Sequence, residues 1–206
     1  MPQAQALHDT MPAPTAVLFG LSGCLVDFGA RTRHNSHESA EHAHLTPGAL
    51  EALHQLRHQD IPCAWLDELP HAQSQALAAS LPGWITAAPT SLGTEHWPSP
   101  HACWQALMAL KVNRLDGCVL VSGEPRLLQS GLNAGLWTIG LASCGSLCGL
   151  PPAEWLALSQ QEREHKRGKA TLQLFSLGVH SVIDHLGELT TCLADIDLRR
   201  RKGEKP

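Results

Sequence analysis

The side chains of this sequence best suited to chemistry are carboxylates and imidazoles, and they fall into two groups. Asp27, Asp67 and Glu124 each follow closely on a short apolar run. Three carboxylates brought to one edge of a fold would hold a metal ion or divide acid and base roles between them. The simpler reading makes Asp27 a turn residue and leaves Asp67 and Glu124 as surface charges. The second group is the stretch from Arg31 to His44, which carries His34, His37, Glu38, Glu41, His42 and His44, the densest concentration of ligating side chains in the chain. In a helix His34, Glu38 and His42 would share one face, with Glu41 beside them. Imidazole with carboxylate suits zinc or nickel, but without neighbours that orient the rings such a tract is a solvated loop. Cys24 is a candidate nucleophile within sequence reach of His34 and His37, although no pattern supports the pairing. Cys144 and Cys148 form a CxxxC pair without a second Cys or His pair at zinc-finger spacing.

The composition bounds what these residues can belong to. The chain has 206 residues, enough for one domain with a sizeable core. Hydrophobic residues make up 43% and charged residues 17%, which excludes disorder for most of the chain. No apolar run reaches the roughly 18 residues of a membrane-spanning helix. Residues 1–14 lack the basic start and apolar stretch of a secretory signal and read as a flexible lead. An odd count of seven cysteines without such a signal reads as reduced thiols in a cytoplasmic protein. The net charge of −4 is unevenly spread, with residues 163–206 net positive and ending in Arg199, Arg200, Arg201 and Lys202. Such a run can touch nucleic acid. With no Tyr and three Phe to interleave with it, residues 199–206 read as a basic, disordered tail, and nucleic acid is not the expected partner.

Short apolar runs alternate with helical patterns along the rest. Strands are expected at Ala16–Leu21, Ile61–Leu66, Trp84–Ala88, Gly117–Val121, Leu136–Leu141 and Ser181–Ile183. Between them, Pro47–Gln59 repeats Leu50, Leu53 and Leu56, with Thr46 as the expected N-cap. Helices are also expected at His71–Leu81, at Pro100–Val112 with Trp104, Leu107, Met108 and Val112 on one stripe, and at Pro125–Ala134. A charged helix runs from Pro151–Pro152 toward Leu177, and a last one spans Leu186–Leu198. This alternation predicts a three-layer α/β fold of Rossmann-like type around a central parallel sheet. Ligands of such sheets bind just past the C-terminal strand ends, which directs attention to residues 20–27, 67–68 and 122–127.

The residues at those strand ends resemble the motifs of a known family. Ala16-Val17-Leu18-Phe19, running on to Val26-Asp27-Phe28-Gly29, is similar to the first motif of the haloacid dehalogenase superfamily, in its phosphonoacetaldehyde hydrolase (phosphonatase) branch. Ser122-Gly123-Glu124-Pro125-Arg126-Leu127 resembles the acidic fourth motif, and Asn133-Ala134-Gly135-Leu136-Trp137-Thr138-Ile139-Gly140 continues as that branch does. Gly178-Val179-His180-Ser181-Val182-Ile183-Asp184 fits near the end. The resemblance covers about residues 15–198.

Residue by residue, it implies a departure from the family's chemistry. The nucleophilic Asp matches Gly20, the second Asp Ser22 and the following Thr Cys24. The phosphate-gripping Ser or Thr matches Asp67, and the basic residue of the third motif matches Trp97, which would fill the old pocket. The acidic magnesium ligands match Gly123 and Leu127. No cofactor is therefore expected: the magnesium of the family finds no carboxylate at these positions, and zinc or nickel enters only through the histidine tract. The branch's helical cap, inserted between the first two motifs with a Schiff-base Lys, is replaced by the His-rich residues 29–45, which contain no Lys. The domain expectation is a haloacid-dehalogenase-like core over 15–198 without a cap. The functional expectation is a catalytically degenerate relative that binds or regulates, as a homo-oligomer, with a protein partner, or with a small anionic ligand. The alternative is a hydrolase of phosphoester or C–P bonds with a site rebuilt from Asp27, Asp67 and Glu124.

Overall fold

The structure, a computed structural model, describes residues 14–33, 43–89 and 96–206. Six parallel strands form one sheet in the order β3-β2-β1-β4-β5-β6. They are β1 (Ala16–Gly20), β2 (Cys63–Leu66), β3 (Thr86–Ala87), β4 (Cys118–Ser122), β5 (Trp137–Leu141) and β6 (Ser181–Ile183). The helices between them are α1 (Ala49–His58), α2 (His71–Ala78), α3 (His101–Ala109), α4 (Pro125–Asn133), α5 (Pro152–Ala157), α6 (Gln160–Ser176) and α7 (Leu189–Arg201). This is the three-layer α/β architecture expected. Residues 21–62 link β1 to β2 and include α1, which leaves no length for a large cap there. Among the described residues no helix is long and apolar enough to cross a membrane.

The central strands β1, β4 and β5 are buried throughout and mostly apolar because both faces are covered. Along β1, Val17 and Phe19 face a core shared with Leu53 of α1 and Ile196 of α7. Ala16 and Leu18 face the opposite core, with Leu107 of α3 and Leu127 of α4. A third cluster seats α6 through Ala170 and Leu174. A parallel sheet packed on both faces holds all its strand ends at one edge, and the site residues follow from that edge.

Several expectations about the helices need correcting. α1 starts after Gly48, and no side chain caps it. Thr46 instead donates its hydroxyl to the carbonyl of Cys24, tying this segment to the loop after β1. Leu50 lies on the outer face. On α3 the buried positions are Cys103, Ala106 and Leu107, while Trp104 and Met108 face outward. Trp104 is held there by an indole N–H bond to the Ala134 carbonyl. The charged helix is two helices, because Ser159 takes extended backbone and caps α6: its hydroxyl accepts from the Glu162 N–H, and the Glu162 carboxylate accepts from the Ser159 N–H.

The basic end is also more ordered than a tail, since α7 continues through Arg201. Arg199 donates to the His180 carbonyl at 2.9 Å and stacks 4.8 Å over the Trp137 ring. Arg200 pairs with Asp116 at 2.8 Å and Asp197 at 2.7 Å. Two of the basic residues thus close the bottom of the sheet, which removes them from an unattached patch for nucleic acid.

His180 lies in this same layer, its ring 4.8 Å from that of Trp137. Its Nδ1 accepts the Thr138 N–H at 3.0 Å. Burial first, then the Arg199 charge, lower its pKa. As pH falls the unfolded chain takes up this proton before the folded one does, so the stability from the neutral ring is present above the ordinary histidine pKa and drains away below it. Urea unfolding between about pH 7.5 and 5.5 should show this loss, and His180→Gln should show a smaller acid-side decline than the parent.

Candidate functional site

β1 and β4 end side by side, Phe19 in register with Val121, and all seven positions that the motifs single out gather around these two ends or the end of β2. Gly20 closes β1. A Cβ built on it would stand 2.7 Å from the Ser122 hydroxyl and 3.4 Å from a Leu127 methyl. The Ser122 side chain is fully buried and accepts the Glu124 N–H at 3.0 Å. Gly123 is tighter still: its Cβ would come 2.3 Å from the Gly23 carbonyl oxygen and 2.4 Å from the Gly145 Cα. Leu127 is buried in the core that also holds Trp97 and Leu66. Around Gly123, where the resemblance places a magnesium ligand, three chain segments pack backbone to backbone, while at Gly20 the space is taken by the Ser122 and Leu127 side chains. Magnesium needs carboxylate oxygens with room to reach it, and Gly20, Gly123 and Leu127 supply neither; the ion does not fit here.

The carboxylates that remain are occupied by the protein itself. Asp67, just past β2, accepts the Ser22 N–H at 3.3 Å and the N–H groups of Glu68 and Leu69 at 2.7 and 3.1 Å. It is an internal anion that takes up backbone donors at the strand ends, where a phosphate would otherwise seek them. Asp27 is buried at φ 58°, in the left-handed region. It accepts the Ser22 hydroxyl at 2.7 Å and the N–H groups of Arg31 and Thr32 at 2.9 and 3.1 Å. Asp27 sits in the turn region after β1 as a buried hub. Ser22 joins the two acids, giving its N–H to one and its hydroxyl to the other. Glu124 caps α4 by accepting the Arg126 N–H.

These three acids therefore do not form the rebuilt metal site considered above. Among the described residues no three His, Cys, Asp or Glu side chains are grouped to hold an ion. His34, Glu38 and His42 lie outside the described residues.

Cys24 is the other correction. It is wholly buried, donates its thiol to the Val121 carbonyl, and burial with Cys144 nearby raises its pKa well above the ordinary thiol value. A nucleophilic cysteine needs the opposite shift and access. Cys144 is pushed up to about 12 by burial, and Cys148 is raised by the same cause. The Cys148 thiol donates to the Ala142 carbonyl at 2.9 Å, so the CxxxC pair is packed into the core.

The sequence reading missed the clamp over Trp97. The Trp97 N–H donates to Glu68 at 2.5 Å, its carbonyl accepts from Arg126, and Arg126 closes the loop with an ion pair to Glu68 at 3.3 Å. The ring is buried against Leu66 and Leu127. Glu68 lies within the strand-end residues singled out in advance, and Arg126 one turn beyond β4. Only the fold pairs them, because Glu68 in the loop after β2 and Arg126 in the first turn of α4 are 58 residues apart.

With this geometry in view, known proteins define its class. No family model matches the chain. Phosphonoacetaldehyde hydrolase of Klebsiella pneumoniae is 32% identical over 138 residues, covering 67% of this chain and 50% of that protein. The enzyme of that name from Bordetella pertussis is 30% identical over 176 residues, covering 81% and 62%. The chain thus spans between half and two thirds of the length of these curated relatives. Among solved structures, a phosphonoacetaldehyde hydrolase-like protein from Oleispira antarctica is 22% identical with a TM-score of 0.85, covering 95% of this chain and 97% of that one. A haloacid dehalogenase family hydrolase from Deinococcus radiodurans is 20% identical with a TM-score of 0.64, covering 90% and 98%. The fold is that of the haloacid dehalogenase superfamily. Within it the chain is phosphonatase-like, a relative of the phosphonoacetaldehyde hydrolases.

The thiols give a direct check on this packing. All seven cysteines are free and buried, with Cys63 and Cys103 also pushed up to about 12 by burial. Native protein treated with iodoacetamide near neutral pH should gain essentially no adducts by intact mass while urea-unfolded protein gains all seven. Rapid labelling of Cys24 in the native state would mean that the β1 end is open.

Proposed function

We propose that this chain is a non-hydrolytic relative of the phosphonatases, keeping the superfamily core for binding or regulation. The observation that carries the reading is steric: the Gly20 position has 2.7 Å to the Ser122 hydroxyl and the Gly123 position 2.3 Å to the Gly23 carbonyl. A side chain at Gly123 would meet backbone atoms and one at Gly20 would have to displace the Ser122 hydroxyl, so neither position is shaped for the carboxylate that attack on phosphorus or magnesium binding would require there. Asp67, fixed on three backbone N–H groups, adds a negative charge that repels a phosphate or phosphonate. Trp97, clamped between Glu68 and Arg126, then fills space where a cation would be needed. A second copy of this chain or another protein is an alternative occupant of the binding role, and a cytoplasmic location accords with the buried thiols.

A turnover screen against phosphate esters and phosphonoacetaldehyde with magnesium should give no activity above background. Activity that disappears in Asp67→Asn or Glu124→Gln would overturn the reading. Gly20→Ala should cost about 1–3 kcal/mol in urea unfolding, as over-packing of a filled interior does. The Ser122→Ala partner should recover part of that loss, a coupling readable in a double-mutant cycle.

A further inference from the structure

We propose that the cavity beyond the ends of β5 and β6 binds a small organic monoanion with an apolar body, of the arylalkanoic or fatty acid type. The proposal rests on the binding reading above and names the ligand chemistry for it. The cavity measures about 740 Å³, within the range of small-ligand sites. It lies at the sheet edge where ligands of parallel α/β folds bind, reached by Ser143 after β5 and Asp184 after β6. None of the seven motif positions lines it, so it is distinct from the filled centre between β1 and β4.

Its chemistry is amphipathic. One wall pairs Phe28 from the loop after β1 with Trp155 of α5, ring centroids 6.2 Å apart and tilted by 53°. Leu156 beside them is 70% exposed, an apolar surface that an apolar ligand would cover. The facing wall is α6, where Arg163 and Arg167 lie one turn apart. Arg167 is already bound to Asp184 at 2.6 Å. The Arg163 guanidinium has no hydrogen bond or ion pair among the described residues, which leaves its planar fork of donors for a carboxylate. The same cavity also carries Glu164 and Asp184. Asp184 neutralises Arg167, Glu164 follows Arg163 on α6, and His44 and His185 complete the polar lining, so the formal charges of the arginines and carboxylates cancel and the site suits a single carboxylate on Arg163 better than a dianionic phosphate.

The test titrates full-length protein with 4-phenylbutyrate, indole-3-propionate and octanoate by calorimetry, with 4-phenylbutanamide and phenyl phosphate as comparators. At least one acid should saturate in the millimolar range or below, and the amide and the phosphate should bind at least about tenfold more weakly. Arg163→Gln, a change on the helix surface, should weaken the acid about tenfold and leave the amide unchanged. Arg57→Gln, on α1 away from the cavity, should change neither. Saturation by none of the acids, equal binding of acid and amide, tighter binding of phenyl phosphate, or an unchanged acid affinity in Arg163→Gln would each overturn the assignment. The titration reads no turnover, so its failure leaves the non-hydrolytic reading standing, and turnover in the substrate screen would overturn that reading without touching this site.

Discussion

The close approach of the β1 and β4 ends constrains everything else at the edge of the sheet where the superfamily does its chemistry. Because Gly20 has no side chain the Ser122 hydroxyl packs where a Cβ would stand, and at Gly123 the Gly23 carbonyl and the Gly145 backbone come nearer still. Protein interiors are packed to crystal-like density and do not yield a methylene cheaply. Contact between backbones is firmer than contact with side chains, which can rotate aside. The result is a closely packed crossing of the two strand ends.

Hydrogen bonding follows from that packing. A loop with its N–H groups exposed at a sheet edge attracts an anion, and here the anions are internal. Asp67 takes the Ser22 N–H, and Asp27 takes the Ser22 hydroxyl and two further N–H groups. A buried carboxylate is tolerated when several donors satisfy it. The Glu68–Arg126 pair does the same for the Trp97 backbone, so that an aromatic ring is sealed over Leu66 and Leu127. Among the described residues, open space at this edge lies further along, beyond β5 and β6, in the cavity lined by residues of α5 and α6.

Much of this was legible before the fold. The strands of a sheet buried on both faces appear as continuous apolar runs, so Ala16–Gly20, Cys118–Ser122 and Trp137–Leu141 fall within a residue or two of their expected places. The glycines at 20 and 123 stood out because the surrounding motifs predicted acids there. Less legible were residues whose role depends on a distant partner. Thr46 has the type and place of a helix cap, yet a carbonyl in the loop after β1 claims its hydroxyl. Trp104 and Met108 have helical spacing, but the sheet lies against the face of Leu107 and Cys103. Arg199 and Arg200 read as a solvated run until Trp137, Asp116 and Asp197 are seen beside them.

By itself, then, the sequence determined the layer order, the strand ends and the residue types at the ancestral site, because hydrophobic period and motif spacing are local properties of the chain. The tertiary structure alone decided that those glycines face filled space, that Asp27, Asp67 and Glu124 are spoken for by separate sets of donors, and that a cavity opens beside Arg163. Each of these depends on how atoms are placed at ångström separations, some from neighbouring turns and others, such as Gly20 with Ser122, from segments far apart in the chain. Steric exclusion and hydrogen-bond satisfaction act at that range, and residue spacing along the chain does not encode it.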